Sequence, residues 1–183
     1  MEIGARNSGF AGVYRMNYSS RDNDVKEQTE SMQLDDRDRR ILTLLQQDSR
    51  ISNADLAEAV GMSASALWRR VRAFEEAGVI TRYGAVVDPG AMGLDFEAIV
   101  HVHLTRHDPD GIVAFIRAIE TAPEVQECYA TTGQADYHLR VLCPDLAAYN
   151  IFLERFLFRL PAVASAQTNV VLRTIKRNRP VTI

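Results

Sequence analysis

Three short helical patterns follow one another between residues 34 and 80, separated by breaks of only a few residues. Gly61 ends the second pattern, since glycine accepts the left-handed conformation of a tight turn, and Ser63 can cap the next helix. Ala57 is a small residue where the two helices would meet, and Leu67 is an apolar anchor under the third. Helices joined by so short a turn must cross steeply. The spacing therefore predicts a helix-turn-helix within a three-helix unit.

Polar residues indicate where the first two helices begin and end. Leu34 precedes a run with three aspartates in its first turn, where the helix dipole favours anions, and Asp48-Ser49-Arg50 ends that run. Ser52, followed three residues later by Asp55, is typical of a capping box. This pair predicts a second short helix that ends at the glycine of the turn.

The third helix, predicted from Ser63 to Ala77, has two different sides. Its inward stripe is apolar and consists of Leu67, Val71 and Phe74. The opposite side carries Ser65, Arg69 and Arg72, with Trp68 and Arg70 on the flanks. The chain as a whole has a net charge of −3 and a pI near 5.8. The positive charge of this helix is therefore local, and any contact with nucleic acid must be local too.

The composition is that of a globular chain with one ordinary domain or two small ones: 183 residues, 46% hydrophobic and 25% charged. No apolar run approaches the ~20 residues of a membrane-spanning helix, and the start does not resemble a secretory signal. We therefore expect a cytoplasmic protein with no membrane segment. Cys128 and Cys143 are interpreted as reduced core residues rather than a disulfide framework. Residues 1–32 are polar and without periodicity, which predicts a flexible N-terminal extension.

The second half of the chain alternates between extended and helical patterns. Strands are predicted at 96–104, 125–131, 137–143 and 162–175, and helices at 111–121 and 146–158. This βαββαβ order predicts a ferredoxin-like fold, an antiparallel sheet with two helices on one face and the other face bare. The class is therefore α+β. We predict a helix-turn-helix domain at 33–82, a linker strand or hinge at 83–95 and a ferredoxin-like domain at 96–183.

A loop between two predicted strands, Thr131-Thr132-Gly133-Gln134-Ala135-Asp136, is a candidate binding site. Backbone N–H groups around the glycine can hold a carboxylate, and Asp136 can hold an ammonium group. These are the two charges that an α-amino acid presents. The alternative is an ordinary hairpin turn in which Asp136 caps backbone amides.

Three histidines can share one face of the predicted sheet. His101 and His103 lie two apart on one strand, and His138 lies on another strand of the same sheet. Such a group could bind a metal or move protons. Because no acidic partner or ligand spacing accompanies it, we favour a face that pairs with another subunit and predict no metal and no cofactor.

Several motifs of the chain resemble the Lrp/AsnC family of bacterial and archaeal transcription regulators. The similar motifs in the first half are the stretch from Leu34 to Leu42, Asp48-Ser49-Arg50-Ile51-Ser52 and Gly78-Val79-Ile80. Those in the second half are Gln126-Glu127-Cys128, Thr132-Gly133-Gln134-Ala135-Asp136-Tyr137, Pro144-Asp145-Leu146, Tyr149 and Leu160-Pro161. The resemblance covers about residues 33 to 183.

The resemblance implies that the third helix of a winged helix-turn-helix enters the major groove of double-stranded DNA. The implied DNA contacts are Ser63, Ser65, Trp68, Arg69, Arg70 and Arg72. Two alternatives stay open from the residues alone. The arginines could form a solvated face balanced by Glu75 and Glu76, and Trp68 could be partly buried core.

The resemblance also implies a small effector, commonly an amino acid, at residues 131–136, and assembly into dimers and then tetramers or octamers. Gln134 departs from the acidic residue expected after the glycine, so the identity of the effector does not carry over. The implied function is a cytoplasmic, nucleoid-associated transcription regulator that is not an enzyme.

Two other functions fit the same architecture. Sirohaem decarboxylases resemble it and would be expected to use histidines of the second domain, with little need of a basic helix. A nucleoid-organising protein would differ only in the ratio of specific to non-specific binding. The arginines of the third helix favour a DNA-binding protein over the enzyme.

Overall fold

The computed structural model describes residues 32–105, 109–177 and 180–182. The described residues form two compact units. The first contains the residues up to Ala85 and the last residues of the chain, and the second is Val86–Arg177. Apart from Met32, the extension predicted at residues 1–32 lies outside the described residues. None of the helices in the described ranges is long and apolar enough to cross a bilayer.

The described part of the first unit contains three α-helices, each with a polar residue capping its N-terminus. Helix α1 is Asp36–Gln47, α2 is Asn53–Val60 and α3 is Ala64–Glu76. Asp35 and Asp38 form a complete capping box on α1, with N···O distances of 3.0 and 2.8 Å. Ser52 caps α2 and Ser63 caps α3. The capping roles predicted for both serines are confirmed.

The turn between α2 and α3 depends on a left-handed glycine. Gly61 has φ 64° and ψ 44°, and its N–H donates to the carbonyl groups at the end of α2. The turn brings together one apolar core, whose buried members are Ile41, Leu42, Leu56, Ala57, Val60, Leu67 and Phe74. The predicted helix-turn-helix is therefore present, with the predicted residues inside.

The linker after α3 contains no β-strand in the described residues 77–95. Its only regular element is a short 3-10 turn, Gly90–Met92, where Asp88 Oδ1 accepts from Ala91 N at 3.2 Å. The linker strand or hinge predicted at 83–95 pairs with no strand among the described residues.

The second unit is a four-stranded antiparallel sheet in the order β2-β3-β1-β4. Its strands are β1 Phe96–Leu104, β2 Val125–Ala130, β3 Tyr137–Cys143 and β4 Val163–Val170. Its helices are α4 Pro109–Thr121 and α5 Leu146–Arg155, followed by a 3-10 turn at Leu157–Arg159. The fold is α+β, and the predicted βαββαβ order is confirmed.

Both helices of this unit pack on the same face of the sheet. Alternate residues of β1 point to that face, and Ala98, Val100 and Val102 are fully buried. They meet Phe115 from α4 and Phe152 from α5 in one core cluster. The residues between them, such as Ile99 and His101, lie on the opposite, open face and are only half buried.

Three details of this unit differ from the predictions. Strand β4 ends at Val170, earlier than predicted, where its pairing with β1 stops at Ala98. Helix α5 ends at Arg155 and tightens into the 3-10 turn. Cys143 is buried in the core as predicted, but Cys128 is exposed because it lies on the edge strand β2.

Candidate nucleic-acid interface and effector loop

Helix α3 is held in place by its apolar stripe. Leu67 and Phe74 are completely buried, and Val71 packs against the same core. Because these residues recur every three or four positions, one side of the helix is fixed against α1 and α2, and the other side faces solvent. The side that faces solvent is the one that the sequence predicted to be cationic.

The exposed side of α3 carries two serines and two arginines. The Ser63 hydroxyl accepts from Ala66 N at 3.3 Å and lies 3.3 Å from the Ser65 hydroxyl. Arg69 is exposed. Arg72 is also exposed and makes ion pairs with Glu75 at 3.6 Å and Glu76 at 3.3 Å. Exposed ion pairs along a helix contribute only ~0.5 kcal/mol, so a stronger anion can displace them.

Arg70 is directed toward α1 rather than toward solvent. Its Nε donates to Asp38 Oδ1 at 2.6 Å and its Nη2 to Asp38 Oδ2, while its guanidinium lies 5.0 Å from the centre of the Phe74 ring. Asp38 is only 3% exposed. The hydrogen bonds from Arg70 hold the pKa of Asp38 below its ordinary value, against the effect of burial. This pair connects the first helix of the unit to the third.

Trp68 is 57% exposed and stands beside a cleft of about 300 Å³ in the first unit. Tyr83 forms another wall of the cleft, and its hydroxyl donates to Glu75 Oε1 at 3.0 Å. Burial and this carboxylate raise the pKa of Tyr83. The cleft therefore lies along one flank of α3, next to Arg72.

The candidate effector loop joins β2 to β3 and is attached at both ends. Thr131 Oγ1 donates to the Ala135 carbonyl at 3.1 Å, and Ala135 is buried. Asp136 Oδ2 accepts from Leu104 N at 2.8 Å. Between these points the three residues Thr132, Gly133 and Gln134 are exposed. The loop thus presents a short exposed backbone segment, and Asp136 fixes one end of it to β1.

The three histidines lie together on the open face of the sheet. His101 pairs with His138 across β1 and β3, and their rings meet edge to face with centres 4.6 Å apart. Asn169 Nδ2 lies 2.9 Å from His101 Nε2. The pKa of His101 is lowered mainly by partial burial and, to a smaller extent, by the charges of His138 and His103. Within the described ranges, no three side chains of metal-binding type are arranged to hold an ion.

Sequence reasoning missed two features of these sites. It interpreted Asp38 only as a helix-dipole residue, because nothing local shows that Arg70, 32 positions later, reaches it. It also missed that the Gln46 side-chain amide pairs with the backbone of Val181 at 2.7 and 3.2 Å, which attaches the end of the chain to α1. Contacts so distant in sequence leave no periodic signal.

The fold and the sites together define a class of protein: a helix-turn-helix unit joined to an α+β domain with an antiparallel sheet. Residues 34–81 match the family described as winged helix-turn-helix DNA-binding, and residues 97–181 match the Lrp/AsnC ligand binding domain. The chain belongs to the Lrp/AsnC family of transcriptional regulators.

Two relatives illustrate how much of the chain is similar. The leucine-responsive regulatory protein of Escherichia coli K12 is 37% identical over 150 residues, which are 82% of this chain and 92% of that protein. The transcriptional regulator AzlB of Bacillus subtilis is 35% identical over 150 residues, 82% of this chain and 96% of its own. These relatives are transcriptional regulators, and this chain is likewise a regulator and not an enzyme.

Solved structures give the same result for the fold. The complex of a transcriptional regulator with L-Met from Neisseria meningitidis superposes with a TM-score of 0.76 at 33% identity, covering 79% of this chain and 94% of that one. AsnC of E. coli superposes with a TM-score of 0.76 at 26% identity, covering 83% of this chain and all of that one.

Proposed function

We propose that the protein is a sequence-specific, homo-oligomeric regulator whose DNA binding changes when a small effector, an amino acid, binds to its second unit. The observation that carries the proposal is the two-sided helix α3. Its apolar stripe is buried against α1 and α2, and its other side presents Ser65, Arg69 and Arg72 to solvent.

The proposed DNA contacts divide into two kinds. Ser63 and Ser65, at the N-terminus of α3, suit phosphate oxygens or base edges, and Arg69 and Arg72 suit guanine or phosphate. Arg70 differs because Asp38 occupies its guanidinium. We assign Arg70 the role of a positioning residue that sets the orientation of the helix.

Fluorescence anisotropy with labelled duplexes tests the DNA contacts. The probes are the DNA upstream of the protein's own gene and a random duplex of the same length, at several stated salt concentrations. Arg69→Ala with Arg72→Ala should abolish the preference for the upstream duplex and reduce the slope of log K against log salt by about 2. Arg117→Ala, an exposed arginine of the second unit, is the matched control. If the correctly folded wild type binds no duplex at low salt, the proposed function is wrong.

The effector is proposed to bind at the loop of residues 131–136. The support is the match of this unit to a ligand-binding domain family, together with the exposed backbone of Thr132, Gly133 and Gln134. A related regulator that was solved with L-Met supports an amino acid as the class of ligand. In this proposal the carboxylate of Asp136 lies near the ammonium group of the amino acid. It also accepts the hydrogen bond from Leu104 N.

Two substitutions of Asp136 separate charge from capping. Asp136→Asn keeps an oxygen that can accept from Leu104 N but removes the charge, whereas Asp136→Ala removes both. Calorimetry with a panel of twenty amino acids should find one that binds the wild type and binds Asp136→Asn at least tenfold more weakly. Gln134→Ala tests whether the exposed side chain of Gln134 contributes to binding of the amino acid. Equal affinity in the wild type and in Asp136→Asn would contradict the proposed charge role.

Assembly is proposed to use the open face of the sheet. No helix among the described residues packs on this face, and it carries half-buried side chains such as Ile99, His101 and His138. A second copy that covers this face would form a symmetric dimer in which the same patch meets itself. Pairing of such dimers would then set the spacing between DNA-binding helices, and an effector that favours one pairing would change which sites are bound.

A further inference from the structure

Trp68 is a large apolar side chain that lies outside the core of the first unit and forms part of the wall of the cleft. The core of the first unit is formed by seven buried residues with others packed around them, and Trp68 belongs to neither group. Its indole is 57% exposed. The exposed part of the indole leaves apolar surface in water, which is available to a bound partner.

The helix places Trp68 among the proposed DNA contacts. Ser65 lies three residues before it and Arg72 four residues after it, so all three follow one stripe of α3, with Arg69 adjacent. The cleft shared with Tyr83 leaves open space on the other flank of the indole. A surface that meets Arg69 and Arg72 therefore also meets the indole.

The chemistry of the indole selects one group of the major groove. Its single N–H can donate to one phosphate oxygen, but the rest of its surface is an apolar face that suits an apolar partner. Cytosine and the purines present polar edges in the major groove, whereas thymine adds an apolar C5-methyl group. We propose that Trp68 is a specificity-determining residue that packs on a thymine methyl group in the bound DNA. This inference rests on the proposed function.

A selection experiment tests which base Trp68 recognises. Bound duplexes are selected from a random pool with the full-length wild type, Trp68→Ala and Trp68→Phe, after thermal unfolding has shown that all three fold. The wild type should enrich thymine at one position of each half-site. Trp68→Ala should lose the preference at that position only, and Trp68→Phe should keep part of it because it keeps an aromatic face.

Replacement of thymine by uracil removes only the methyl group. In the duplex selected by the wild type, uracil at that position should weaken wild-type binding about fourfold, the effect of one buried methyl group. The same change should leave the affinity of Trp68→Ala unaltered. Met92→Ala, an exposed apolar residue of the second unit, is the control and should behave as the wild type does.

The outcomes are distinguishable. If the wild type enriches no sequence, the proposed sequence-specific function fails and this inference fails with it. If it enriches a sequence but uracil has no effect, or has an equal effect on Trp68→Ala, only the inference is wrong. A uniform loss of affinity by Trp68→Ala on all duplexes would assign the indole to the DNA backbone and would also overturn it.

Discussion

Asp38 is a buried charged residue of α1, and its pairing with Arg70 of α3 is a residue-scale feature of this fold. A buried carboxylate is costly unless it is paired and hydrogen bonded. Here two nitrogens of Arg70 bind it, and Asp35 N donates to it as well. The same aspartate thus caps α1 and holds α3.

Asp38→Asn should therefore lower both stability and DNA affinity. We expect a loss of about 2 kcal/mol in the free energy of unfolding, because one side chain of a partly buried charged pair loses its partner. Urea unfolding followed by the fluorescence of Trp68, the only tryptophan of the chain, measures it. Arg72→Ala, whose ion pairs are exposed, should cost ~0.5 kcal/mol or less. Equal effects of both substitutions would contradict the role of Asp38.

The pH dependence of this pair has a definite sign. Because the pKa of Asp38 is lower in the folded protein than the ordinary value of 3.8, the pair stabilises fully above that value. Its contribution is lost as the pH falls through the lowered pKa. Acid unfolding of Asp38→Asn should lack this component, which urea titrations at a series of acidic pH values would detect.

At the scale of elements, the turn between α2 and α3 determines where the exposed face of α3 points. Gly61 adopts φ 64°, and a Cβ built on it would meet nothing within 4 Å. The requirement for glycine is therefore one of backbone conformation and not of space. The buried stripe of α3 can meet the core only if this residue is left-handed.

Gly61→Ala should cost about 1 kcal/mol, the strain of placing a Cβ on a left-handed residue. Gly84→Ala is the matched control, since that glycine also has open space around it and has no positive φ. The control should change stability by a few tenths of a kcal/mol at most. Unfolding monitored at Trp68 compares the two variants, and similar losses in both would show that the backbone conformation of Gly61 is not the cause.

At the scale of the whole molecule, the second unit has a covered face and an open face. The open face combines half-buried apolar and polar groups: Ile99, the three histidines, and the ion pairs that join Arg140 to Glu97 and Glu127. In a symmetric dimer each copy would contribute this face to the interface, and the two groups of histidines would lie close together.

Ile99→Asp should convert the proposed dimer to monomers, since it buries a charge at the centre of the interface. Sedimentation equilibrium measures the mass. Ala114→Asp, which adds the same charge on the exposed side of α4, should leave the mass unchanged. An unchanged mass for Ile99→Asp would exclude this face as the interface.

His101 predicts a second pH dependence, because its surroundings disfavour the charged form of its ring. The pKa of His101 is lowered by partial burial and by His138 and His103, so the folded state binds a proton less readily than the unfolded chain does. Stability should be constant above the ordinary value of 6.5 and should fall as the pH drops below it. His101→Gln should reduce this fall, and urea titrations from neutral to mildly acidic pH would show whether it does.

The sequence alone determined the class of the fold, the order of its elements and the two-sided character of α3. These depend on periodicity, capping residues and a turn glycine, which act over a few positions: the strand Phe96–Leu104 and the caps Ser52 and Ser63 follow from local pattern. Only the tertiary structure decided that Arg70 is turned toward Asp38 and that Trp68 remains outside the core. The exposure of Cys128 likewise followed from its place on the edge strand of the sheet. The physical reason is that burial and ion pairing depend on residues distant in sequence, and such neighbours exist only once the chain has folded.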